Sequence, residues 1–123
     1  MKVLLSIKPE YAFKIFDGEK KFEFRKAIFK KANIKTVVVY ASSPVQRVIG
    51  EFEIDDIFSL EPRKLWEKTK EFSGISEEFF FAYFAERKVG YAIKIKKTRK
   101  YRTPLLLKDS FNNAAPPQSY MYI

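Results

Sequence analysis

The residues with the richest chemistry lie together near the N-terminus, in Gly18-Glu19-Lys20-Lys21-Phe22-Glu23-Phe24-Arg25. Along an extended strand successive side chains alternate between faces, so Lys21, Glu23 and Arg25 share one side and Phe22 and Phe24 the other. Lys20 precedes the strand at a turn. Ammonium, carboxylate and guanidinium groups thereby reach one patch, suited to a phosphate or a polar heterocycle, with Glu23 as acceptor and Arg25 as a two-pronged donor. The same pattern fits a solvated strand face with cross-strand ion pairs. Two further groupings carry chemistry. Tyr40-Ala41-Ser42-Ser43-Pro44 sets two hydroxyls in a turn, where they cap the turn or meet a phosphate. Lys94 to Arg102, with Tyr91 and Tyr101 interleaved, suits single-stranded RNA, and equally an edge strand kept soluble by lysine. Phe79, Phe80, Phe81 and Phe84 read as core, with Tyr83 the member of that cluster open to a polar role.

What is missing narrows the chemistry further. The 123 residues include no Cys and no His. That excludes disulfides, thiolate nucleophiles, iron–sulfur centres, Cys or His zinc sites and Ser-His-Asp triads. Catalysis would rest on Lys, Asp, Glu, Ser, Thr or Tyr, and neither a metal nor a cofactor is expected. The 24 Lys and Arg against 15 Asp and Glu give a net charge of +9. The charge is segregated: 10 basic and 4 acidic residues over 1–35, 5 and 9 over 36–85, 9 and 2 over 86–109. Two basic blocks flanking an acidic middle predict a basic face and a polyanionic or acidic partner. No stretch approaches the roughly 18 apolar residues of a membrane span. The opening apolar run is broken by Lys8 and Glu10, too early for a signal peptide, so a cytoplasmic protein is expected.

These groups need a scaffold. The length predicts a single domain over 1–123, able to bury about two-thirds of its unfolded surface. Val3–Ile7 reads as a strand. Pro9 opens a helix carrying Tyr11, Ala12, Ile15 and Phe16, and Gly18 stops it. Alternation predicts a strand over 20–25 with one buried face, and Thr36–Tyr40 a strand buried on both. Arg47–Ile54 reads as a strand with a bulge at Gly50. Helices follow over 61–70 and 75–84, the second capped by Ser73 or Ser76. Tyr91–Ile95, Pro104–Leu107 and Ser119–Ile123 read as three more strands, with 96–103 an exposed strand or loop. The sum is an α+β domain: a small, mostly antiparallel, open β-barrel with short helices packed at its ends.

Several of these pieces occur together in a known family. Leu5-Ser6-Ile7-Lys8-Pro9-Glu10-Tyr11-Ala12, followed by Gly18-x-Lys20-x-x-Glu23-x-Arg25, resembles the ASCH domain of the PUA-like superfold. Tyr40–Pro44, Ile49-Gly50-Glu51, the Tyr83 to Tyr91 segment and Pro116-Pro117-Gln118-Ser119-Tyr120 extend the resemblance along the chain. It implies a barrel whose cleft is lined by Lys8, Lys20, Glu23 and Arg25, with Ser42, Ser43, Tyr83 and Gln118 as neighbours. It also implies an RNA, nucleotide or nucleoside ligand and a place in RNA metabolism or transcription-related regulation, with a protein partner as a further option. Some ASCH relatives resemble small amidohydrolases of N4-acetylcytidine that use Lys, Thr and Glu, and ribonuclease activity has been proposed in the family, which in a chain without histidine would use Lys20 and Glu23 as acid and base. Lys20 matches the amidohydrolase lysine and Glu71 aligns with the glutamate, but the threonine position holds Glu23. A carboxylate beside Lys20 is expected to raise the lysine's pKa and keep it charged.

Overall fold

The structure is a computed structural model that describes residues 1–111 and 115–123. Val3–Ile7 forms β1, and Pro9 occupies the first turn of α1, Pro9–Asp17. Gly18 ends that helix in the left-handed conformation, φ 89°. The chain continues through β2 (Phe22–Arg25), β3 (Thr36–Ala41), β4 (Arg47–Leu60), α2 (Pro62–Thr69), a 3-10 turn over Lys70–Phe72, α3 (Glu77–Tyr83), β5 (Gly90–Leu105), α4 (Leu107–Ser110) and β6 (Tyr120–Tyr122). The strands form one sheet in the order β2-β5-β4-β3-β1-β6. Neighbours run antiparallel except β1 and β3, which are parallel, with Val3 opposite Val37 and Ile7 opposite Ala41.

The expected α+β architecture is present, with the sheet curled into a half-barrel rather than a closed barrel. β2 and β6 stand at its two ends and do not pair with each other. The unbroken apolar runs of β1 and β3 follow from burial on both faces. Val3, Leu5, Ile7, Val37 and Val39 meet Ala12 and Ile15 of α1 on one side. Leu4, Val38, Tyr40 and Val48 meet Leu107 of α4 on the other. A third, largely aromatic cluster joins β2 to α2 and α3 through Phe22, Phe24, Trp66, Phe80 and Phe84, with Ala92 of β5 among them. Phe24 meets Phe80 edge-on, with centroids 5.1 Å apart at 84°.

Two sequence expectations change. Gly90–Leu105 is one 16-residue strand that takes in 96–103, where the sequence allows an exposed strand or a loop, and Leu107, expected in a separate strand, instead opens α4. The outer half of β5 is exposed, so no hydrophobic alternation marks it. What holds it is the ladder to β4, where Glu51 lies opposite Arg99 and Glu53 opposite Lys97. β4 likewise runs to Leu60, with the expected irregularity between Val48 and Gly50. Of the two proposed caps, Ser76 takes the role at α3, its Oγ accepting from the Phe79 N–H at 3.0 Å.

Candidate functional site

A cleft of about 160 Å³ lies between the end of β1, the first turn of α1, β2 and α3. Lys20 forms its floor and is 2% exposed. Its Nζ donates to the Ser73 carbonyl at 2.8 Å and sits 4.7 Å from the centroid of the Phe24 ring and 5.6 Å from that of Tyr11. The loop that supplies Ser73 wraps the lysine stem. Gly74 has φ +70°, and a Cβ there would come within 2.6 Å of the Lys20 Cβ and Cγ, so glycine is needed for conformation and for space. Burial draws the Lys20 ammonium from its ordinary 10.5 down to about 8, against the opposing pull of the Glu23 carboxylate and with help from Lys14. Glu23 pulls the lysine upward as expected, but desolvation outweighs the carboxylate and the net change is downward.

Glu23 and Arg25 are not a solvated strand face. Both faces of β2 are covered, with Glu23 6% exposed beside buried Phe22 and Phe24. Arg25 turns inward rather than toward a ligand. Its Nη1 donates to the Glu23 carboxylate at 3.2 Å and to the Ser6 carbonyl at 3.3 Å. Its Nη2 donates to the Ser119 carbonyl at 2.9 Å and Oγ at 3.1 Å. Arg25 thus reaches from β2 to β1 and to the residue preceding β6, spanning the gap where the barrel does not close.

The other expected residues divide in space. Lys8 is exposed at the cleft mouth, 6.0 Å from the Phe79 ring centroid. Tyr83 lines the cleft, donates to the Phe24 carbonyl at 3.4 Å, and has its pKa raised, chiefly by burial. Ser42, Ser43 and Gln118 line an adjoining groove of about 490 Å³, which shares Ser6, Lys8, Arg25 and Tyr83 with the cleft. Glu71 is exposed on the 3-10 turn and does not line the cleft. The Lys94–Arg102 run also lies outside it. Asp55 pairs with Lys94 at 3.4 Å, and Glu51 accepts from Arg99 at 3.0 Å and Tyr101 at 2.8 Å. Burial and the Glu51 carboxylate push the Tyr101 hydroxyl up to about 12.

Two features of the site escape the sequence reading. Phe79, placed with the core, is 37% exposed on the cleft wall, nearly parallel to Tyr83 (10°, centroids 6.4 Å apart). The helical spacing holds the signal: Phe80 and Phe84 take the core stripe, leaving Phe79 and Tyr83 on the neighbouring one. Ser73 and Gly74, which fasten Lys20, are separated from it by more than fifty residues, and nothing local marks them.

A curled mixed sheet with a lysine-floored cleft at its open seam defines a PUA-like domain of the ASCH type. The ASCH domain model matches residues 5–102, and the chain belongs to the ASCH family. An ASCH domain-containing ribonuclease of Zymomonas mobilis is 29% identical over 124 residues, covering 99% of this chain and 84% of that protein. The crystal structure of ASCH from Zymomonas mobilis superposes with a TM-score of 0.91 at 29% identity, over 99% of this chain and 87% of that one. The ATP synthase subunit alpha of Ureaplasma parvum serovar 3 is 34% identical over 122 residues. That match covers 98% of this chain, which spans only 15% of that relative's length. No helix among the described residues is long and apolar enough to cross a membrane.

Proposed function

We propose that the protein binds RNA by taking an unpaired base into the cleft. The observation that carries this reading is a pair of rings on the cleft wall, Phe79 and Tyr83, each with a cation beside it. Lys8 lies over Phe79, and Lys26 lies 4.8 Å from the Tyr83 ring centroid. Rings offer stacking to any base, and the ammonium groups meet the phosphates beside it. A recess of about 160 Å³ admits one heterocycle and no duplex, so the base enters splayed from a single strand, loop or bulge.

A second reading, RNA cleavage, is favoured by Lys20. A buried amine with a pKa near 8 exchanges a proton close to neutral pH, which suits a general acid or base in a chain without histidine. The ribonuclease name of the Zymomonas mobilis relative supports it.

One experiment addresses both. Fluorescence anisotropy of labelled single-stranded RNA, hairpin RNA and matched DNA is measured at two salt concentrations, and the RNA is then run on a gel. Binding is expected to favour RNA and to weaken steeply with salt. Phe79→Ala is expected to cost about 5- to 150-fold in affinity, the range for loss of one stacked base. An unchanged affinity in a folded Phe79→Ala protein would show that the base does not enter here. If the RNA is cut, Lys20→Met should stop the cutting without abolishing binding.

A further inference from the structure

We infer that the cleft and the adjoining groove are two successive nucleotide subsites, so that the unit recognised is a dinucleotide step, one base buried and the next held in the open groove. This rests on the RNA-binding reading of the cleft.

The two hollows differ in a way that suits unlike halves of one ligand. The cleft is small and ring-walled, by Tyr11, Phe24 and Phe79. The groove is about three times larger, at about 490 Å³ against 160 Å³. Its walls carry Ser42, Ser43, Gln46 and Gln118, whose side chains make no hydrogen bond to the described residues. Hydroxyls and amides both donate and accept, so this array can pair with the edge of a base or a ribose hydroxyl.

The hollows meet at Ser6, Lys8, Arg25 and Tyr83. Of the two cations there, Arg25 is committed to four hydrogen bonds inside the protein. Lys8 is exposed and forms no ion pair with the described residues. Lys26 sits over the Tyr83 ring but lines neither hollow, so Lys8 is the ammonium shared by both, and it matches the single phosphodiester that links two nucleosides. The neighbouring groove thus receives the next nucleoside, with its phosphate against Lys8. The adjacent hydroxyls and amides make a ribonucleotide the better occupant.

The test is displacement of a short labelled single-stranded RNA by ribonucleoside 5′-monophosphates, the corresponding NpN dinucleotides and NpNpN trinucleotides. Two linked subsites predict that dinucleotides act at least about 10-fold more strongly than monophosphates, with the third nucleotide adding less than about 3-fold. In the combined S42A and S43A variant the ratio of dinucleotide to monophosphate potency should fall to about one. Should that turn variant fail to fold, Gln118→Ala, from the segment before β6, is expected to lower the ratio about 3-fold, the scale of one hydrogen bond. Equal potency of mono- and dinucleotides, an equally large step to the trinucleotide, or a ratio untouched in these variants overturns the two-subsite inference and leaves the cleft reading standing. Failure of the protein to bind the labelled RNA at all removes the reading beneath it as well.

Discussion

Lys20 and Arg99 are cations on the same domain, yet the cleft and the β4–β5 ribbon treat them in opposite ways. In the ribbon, basic residues of β5 face acidic residues of β4, as at Glu51 and Arg99, in contact with water. The acidic middle of the chain and its second basic block, separate in sequence, are interleaved by the antiparallel ladder. In the cleft, Lys20 is almost wholly desolvated, with one carbonyl and two rings for company. Charge counted along a chain therefore says little about where charge is available. The charges of the ribbon are compensated in water, whereas burial draws the pKa of the one Lys20 ammonium down to about 8.

The comparison is broken most forcefully at Arg25. Arg25→Ala leaves Glu23 buried without its cation and strips donors from the Ser6 and Ser119 carbonyls across the open seam. Removing one partner of a buried pair costs about 3–5 kcal/mol, so the denaturation midpoint should fall sharply with the slope unchanged. A loss below about 1 kcal/mol would mean that packing alone holds the ends of the half-barrel together.

Lys20 sharpens the contrast through pH. Its folded-state pKa, about 8, lies below its unfolded value, so below pH 8 the native state carries the full cost of a buried charge. Between pH 8 and about 10 the unfolded chain binds more protons than the native one, and stability rises with pH. Relative to Lys20→Met, the wild-type protein should gain about 2 kcal/mol over that window in urea melts. Parallel pH profiles for the two proteins would mean that the amine is hydrated rather than buried.

How much of this was legible in the sequence follows from the range of the forces involved. Period-two and helical spacing revealed β1, α1, β3 and the position of α3, because a buried face imprints itself on neighbouring residues. The outer half of β5 left no such imprint: nearly all of it is exposed, and its partner residues lie about fifty positions earlier. The signature residues Lys20, Glu23 and Arg25 were visible as a cluster, and the structure does gather them. Their environments were not visible, since the desolvation of Lys20 depends on Ser73 and Gly74, and the inward turn of Arg25 on Ser6 and Ser119. Phe79 was hidden among three consecutive phenylalanines until the helix assigned each a direction.

The smallest expected effect lies on the ribbon, and it decides whether the basic run touches RNA. Arg99 is 69% exposed, and Glu51 keeps Tyr101 and Lys2 when Arg99 is removed. Arg99→Ala should therefore change stability by less than about 1 kcal/mol, as exposed ion pairs do. Its charge is matched across the ladder, so the dependence of log affinity for RNA on log salt should also keep its slope. Lys8→Gln, at the cleft mouth, should lower that slope by about 1, the signature of one lost phosphate contact. The reverse pattern, a lower slope in Arg99→Ala and none in Lys8→Gln, would move the RNA path from the seam of the half-barrel to its ribbon. Compensation across strands would then be no bar to binding, because a phosphate could displace Glu51 from Arg99 at little cost.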